Sequence, residues 1–179
     1  RPRGGVPAFA AGDVYVLNGT ELVPCAGITS PSCSAGGTHA TENESYRRIR
    51  YLSGAQQWEV TERDGTKTTL SAVGTIANAG TLTPGTDAHT LAYSYRWLVT
   101  SITDTHGNAV AYTYVCPELP TCYPNVVSYN GTTVQFYREA RPDYLLAANG
   151  RTLSEITTRI KTIAVRTSGM LRAAYGLEY

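Results

Sequence analysis

The chain has 179 residues, a formal net charge of +1 and only 16% charged residues. That length suffices for one domain burying roughly two thirds of its unfolded surface, and the near-neutral balance gives no sign of a general nucleic-acid or anionic-membrane binder. No apolar run reaches the ~20 residues a spanning helix needs, so no membrane span is expected.

The predicted elements are strand-like runs separated by turn signals. DVYVLNGTELV forms two short runs about Asn18-Gly19. PCAGITSPSCSAGG follows as a loop carrying Cys25 and Cys33, and then come YRRIRYL and QQWEVTERDGTKTTL, the latter turning at Asp64-Gly65. A Gly/Thr/Pro-rich stretch, GTIANAGTLTPGTDAHT, precedes RWLVTSITD and AVAYTYV, which flank His106-Gly107-Asn108. The loop VCPELPTCYP holds Cys116 and Cys122, VVSYNGTTVQFY turns at Asn130-Gly131, and RIKTIAVRTSGMLRAAYGLEY turns at Ser168-Gly169. Asn-Gly and Asp-Gly supply the positive φ angles of tight hairpin turns. The one candidate helix, Thr152–Thr158, reads equally well as extended.

Alternation supports the strands. Val110, Tyr112 and Tyr114 fall on one side of AVAYTYV, with Ala111, Thr113 and Val115 on the other. The 13 Tyr against 2 Phe and 2 Trp suit sheets with one packed and one wet face. The expected class is all-β: successive antiparallel hairpins forming an extended or curved sheet. The chain opens RPRGGVPAF and stops at AAYGLEY inside a strand pattern, so it reads as a piece of a longer protein.

The four cysteines permit three pairings, which sequence alone does not separate. Each local pair sits in a loop that a short disulfide could pin, and neither has the two-to-four-residue spacing common among zinc ligands. Disulfides are therefore expected over metal, and with them an oxidising compartment. Asp104 and His106 could form an orienting pair, but no nucleophile turn accompanies them, and with Gly107 and Asn108 they read as turn formers. The carboxylate pairs Glu42/Glu44, Glu59/Glu62 and Glu21/Asp13 would need a cleft to act as glycosidase acids. Arg47, Arg48 and Arg50 read as a solvated strand face offset by Glu42 and Glu44. Three N-x-[ST] sequons, at Asn18, Asn43 and Asn130, include two that coincide with turns. No catalytic residue, cofactor or metal is expected.

WLVTSITDTHGNAVAYTYV, the strand ending in Arg141-Pro142-Asp143, and the closing pair RIKTIAVRTSGMLRAAYGLEY together resemble the bacterial Rhs/YD-repeat family. The likeness is strongest to the segment shared by Salmonella virulence plasmid B proteins and insecticidal toxin-complex B components. It rests on Trp97, Leu98, Ile102, Asp104, Gly107, Asn108, Tyr112 and Tyr114. It continues through Phe136, Arg141, Pro142, Asp143, Arg172, Tyr175, Leu177 and Tyr179. It covers about residues 46–179, while 1–45 is a poorly matched segment with a cysteine loop.

The resemblance implies a non-enzymatic wall or cap module of a secreted or cell-surface bacterial protein. Its β shell would enclose and deliver a C-terminal toxin, and its partners would be the remaining modules of the same polypeptide or toxin complex. Asp104, Gly107 and Asn108 would hold a turn, and Arg141 and Asp143 would pair beside a proline at a strand end. The alternative is a carbohydrate- or protein-binding module using exposed Trp58, Trp97 and tyrosines. A hydrolase built on Asp104/His106 or a carboxylate pair would require a deep pocket converging on them.

Overall fold

A computed structural model describes residues 12–75, 96–118, 121–149 and 152–179. The described residues are nearly all β. Two compact units are formed, the first holding seven strands and the second five. Strands of the first are β1 (Val16–Leu17), β2 (Thr20–Pro24), β3 (His39–Thr41), β4 (Arg48–Leu52), β5 (Gln57–Thr61), β6 (Lys67–Ala72) and β7 (Trp97–Thr103). The second comprises β8 (Ala109–Glu118), β9 (Thr121–Tyr129), β10 (Thr132–Asn149), β11 (Thr152–Thr167) and β12 (Met170–Gly176). Within each unit, strands adjacent in the chain are adjacent in the sheet and antiparallel.

Local chemistry explains the sharp reversals. Asn18 (φ 49°) with Gly19 (84°), Asn130 (41°) with Gly131 (69°) and Ser168 (50°) with Gly169 (81°) are two-residue loops with both φ values positive. This geometry matches the right-handed twist of the flanking strands. At the β5–β6 turn, Asp64 Oδ1 accepts the Thr66 N–H at 2.8 Å. The segment Thr152–Thr158 is extended, as the start of β11. Most of the Gly/Thr/Pro-rich stretch lies outside the described residues.

The sheet of the first unit has two chemically distinct faces. Directly opposed pairs Ile49↔Val60, Tyr51↔Trp58 and Trp58↔Leu70 put apolar side chains on one face. There Leu22, Ile49, Trp58 and Val60 form the buried core, with Tyr15, Leu17, Tyr51, Leu70 and Trp97 against it. On the other face Arg50 pairs with Glu59 at 2.5 Å, Lys67 lies 3.7 Å from the same carboxylate, and Gln57 donates to Ser71.

The β3–β4 junction departs from this regularity, since only His39↔Ile49 is in register there. The preceding cysteine loop supplies what the ladder lacks. Its short helix α1 (Pro31–Ser34) starts with Ser30 as cap and a proline in its first turn, the arrangement that proline's fixed φ favours. Ser32, 2% exposed, donates its hydroxyl to His39 O at 2.5 Å and accepts the Ile49 N–H at 2.9 Å. Thr38 Oγ1 accepts the Tyr51 N–H at 2.7 Å. The Cys25–Cys33 disulfide ties the end of β2 to α1.

In the second unit an apolar row runs across five strands: Tyr112, Val127, Val134, Val165 and Ala173 stand directly opposite one another in turn. Phe136, Ile163 and Tyr175 form a second row. Little of this is deeply covered. Among the described residues of β8–β12 only Cys116, Thr121 and Ala164 are buried, while Tyr144, Leu145, Leu146, Met170, Leu171 and Tyr175 are more than half exposed.

The β10–β11 hairpin is long and interrupted. Ala140 pairs with Thr158 and the next pair is Leu145 with Ile156, so Arg141–Tyr144 bulges opposite Thr157. Pro142 has no N–H to leave unpaired there.

Candidate functional site

The turn after β7 is built by Asp104. Its Oδ1 accepts the His106 N–H at 2.8 Å and its carbonyl accepts the Gly107 N–H at 3.2 Å, with Gly107 at φ 85°. His106 Nδ1 lies 3.9 Å from Asp104 Oδ2, and the His106 side chain is 83% exposed. The imidazole is thus open to water and loosely approached, whereas the carboxylate is engaged by the turn backbone. Asn108 follows at the start of the second unit.

Arg141 and Asp143 pair with each other across Pro142, Nε to Oδ1 at 3.3 Å and Nη2 to Oδ2 at 3.0 Å. The Arg141 hydrogen bond holds the Asp143 carboxyl below its usual range. The structure places this motif inside an 18-residue strand rather than at a strand end. What lets the strand continue is Tyr123 of β9, which sequence reasoning did not single out. Its hydroxyl accepts the Thr157 N–H at 2.9 Å and the Thr158 N–H at 3.4 Å, standing in for the ladder beside the bulge. Burial raises the Tyr123 phenol pKa, but these hydrogen bonds outweigh it and bring the group below its ordinary value.

The richest side-chain cluster is aromatic. Trp58, 5% exposed, is surrounded by Tyr15 at 5.0 Å, His39 at 4.8 Å, Tyr51 at 4.8 Å and Trp97 at 6.2 Å between ring centroids. Trp97 also meets Tyr15 at 5.4 Å, and its Nε1–H donates to Gln56 O at 3.1 Å. Most contacts are edge-to-face, with interplanar angles of 71° for Tyr15–Trp58 and 87° for Trp58–Trp97. This geometry satisfies the ring quadrupoles internally. Burial lowers the His39 pKa, and burial followed by the neighbouring Tyr15 raises that of Tyr51. Rings packed edge-on in this way offer no broad flat face to a sugar.

Elsewhere several charged and polar groups are paired. Arg47 binds Glu62 at 2.8 Å, Arg48 donates to Thr61, and Glu44 accepts the Tyr46 N–H. In the second unit Arg159 joins Glu139 at 2.8 Å and lies over the Tyr179 ring at 4.3 Å. Tyr112 and Tyr114 sit two apart on β8, where burial, then the adjoining Tyr112, raises the Tyr114 pKa. Cys25 is joined to Cys33 and Cys116 to Cys122. Among the described residues no group of three or more His, Cys, Asp or Glu side chains is placed to hold a metal ion, and no helix is long and apolar enough to cross a membrane.

These features define a class: antiparallel meanders of consecutive hairpins, with two short disulfide loops. The sequence matches no protein-family model and no curated protein. The fold is similar to that of the N-terminal domain of the effector protein SpvB from Salmonella typhimurium strain LT2. The TM-score is 0.66 at 16% identity, covering 100% of this chain and 85% of that one.

Proposed function

We propose that this chain is a non-enzymatic structural module of a secreted or surface-exposed bacterial toxin- or effector-type protein. In this reading it forms part of a β shell that encloses and delivers a C-terminal toxic domain. The carrying observation is the second unit: apolar rows cross five strands, yet Leu145, Leu146, Leu171 and Tyr175 remain more than half exposed. Exposed apolar area of this kind calls for further protein against it, which the remaining modules of the same polypeptide or complex would provide. The fold likeness to a domain of an effector protein supports the reading, as do the two disulfides, which belong to oxidising surroundings.

The test is cryo-electron microscopy of the whole gene product, including whatever follows Tyr179, together with limited proteolysis. The expected result is a hollow particle with these strands in its wall and a downstream domain cut far more slowly inside it than alone. A particle without a cavity, or a downstream domain cut equally fast in both settings, overturns the proposal. The half-exposed Tyr129 and Tyr137 keep a second reading, a carbohydrate- or protein-binding module, and a glycan and surface-protein binding screen addresses it.

A further inference from the structure

We propose that the Cys25–Cys33 disulfide is a redox-operated latch on the β3–β4 junction. This reading is independent of the shell role. The other strand pairs of the first unit share at least two residue pairs, but β3 and β4 share only His39↔Ile49. The junction is completed by Ser32 Oγ of the cysteine loop, between His39 O and Ile49 N, and by Thr38 just before β3, whose N–H donates to Ile49 O at 2.8 Å and whose Oγ1 accepts the Tyr51 N–H. The loop is held at both ends, by Cys25 N–H donating to Thr38 O at 2.9 Å and by Gly37 N–H donating to Ser32 O at 2.8 Å.

Besides its cap and the Ser32 hydrogen bonds, α1 has little to hold it in place. It has four residues, spans about one turn, and a helix that short has no stability of its own. The residues between the cysteines that precede it, Ala26 to Thr29, are exposed. The disulfide restricts where α1, and with it Ser32, can go.

Access differs between the two disulfides. Cys116 has 0% exposure and only its partner Cys122 is partly exposed, whereas Cys25 and Cys33 are both partly exposed. A small dithiol reductant reaches the first pair more readily. Its thiolate attacks one sulfur to give a mixed disulfide, and its second thiol displaces the other cysteine. The products are two cysteine thiols and one oxidised reductant. The latch is then open: α1 is freed, Ser32 withdraws, and β3 stays joined to β4 only by the His39↔Ile49 pair and the two Thr38 hydrogen bonds.

The experiment is amide hydrogen exchange on the chain with both disulfides formed and after brief treatment with dithiothreitol, alongside alkylation of the released thiols. Cys25 and Cys33 should be alkylated first. The Ile49 amide, held by Ser32, should then exchange roughly 50- to 100-fold faster, the gain expected from freeing a loop of this size, while the Tyr51 amide, held by Thr38, and the β5–β6 ladder keep their rates. Ser32→Ala with the disulfide intact should expose the Ile49 amide without reductant. Prior alkylation of Cys116 and Cys122, an Ile49 amide unchanged by reduction, or one still protected in Ser32→Ala would each overturn the latch.

Discussion

The hydroxyl of Tyr123 on β9 accepts the backbone N–H of Thr157 on β11 at 2.9 Å, although β10 lies between those strands in the sheet order. The contact exists because Arg141–Tyr144 swings out of the β10 ladder and leaves room for a ring to reach across. A side chain thus performs the work of a backbone carbonyl.

Tyr123→Phe keeps the ring and removes the acceptor. The N–H groups of Thr157 and Thr158 then lose their shared partner, and the cost should be about 1–3 kcal/mol if water cannot replace it. Urea denaturation of the two chains measures this directly. An unchanged midpoint would mean that water serves the bulge equally well.

Gly37→Ala should be more disruptive than its position in a loop suggests. A Cβ there would lie 2.7 Å from Ser32 O and 2.9 Å from Ile49 O, besides meeting Ser32 Oγ. Two of these neighbours are backbone and cannot rotate away, so overpacking should cost about 1–3 kcal/mol. Gly54→Ala, with nothing within 4 Å of the new Cβ, serves as the control and should leave thermal stability nearly unchanged.

Trp58 and Trp97 are not equivalent. Trp58→Leu removes the ring at the centre of four aromatic contacts and should cost about 3 kcal/mol or more. Trp97→Phe keeps a ring near Tyr15 and loses chiefly the hydrogen bond to Gln56 O, for about 1 kcal/mol. Chemical denaturation followed by the fluorescence of the remaining tryptophan separates the two.

His39 sets a pH dependence with a definite sign. Burial holds its folded pKa below the unfolded value of about 6.5. Between the two values the unfolded chain binds more protons, so stability falls as pH drops through the unfolded pKa and continues to fall until the folded pKa is reached. Its ring neighbours, Tyr15 and Trp58, carry no charge in this range, and Thr38 Oγ1 sits on Nδ1. Asp64, held low by the Thr66 backbone, and Asp143, held low by Arg141, lose their contributions only in stronger acid. Melting temperatures from about pH 7.5 to 5 should fall in the native chain, and the slope should flatten in His39→Phe. A slope unchanged by that substitution would remove His39 as the cause.

The hairpins were legible because their signals are local. Asn18-Gly19, Asn130-Gly131 and Ser168-Gly169 demand positive φ wherever they stand, and alternation in AVAYTYV needs no knowledge of its neighbours. The cysteine pairing was not legible, since spacing alone left three arrangements open. Helix α1 falls in a stretch that reads as a loop, because four residues carry no periodicity to find. Arg141-Pro142-Asp143 reads as a strand end because proline cannot join a ladder, and only Tyr123, from another strand, shows how β10 continues. The aromatic cluster was half visible: Trp58 and Trp97 stood out, whereas the convergence of Tyr15, His39 and Tyr51 depends on the register of β1 to β5.

The strand order carries a last consequence. Within each unit every strand has for its partner the one made just before it, so each new hairpin can settle onto a finished edge without waiting for distant chain. Such a strand order lets each unit assemble from one end. A polypeptide that emerges gradually, from a ribosome or through a narrow pore, would wind up behind its own leading strand and never expose more than one unfinished edge per unit.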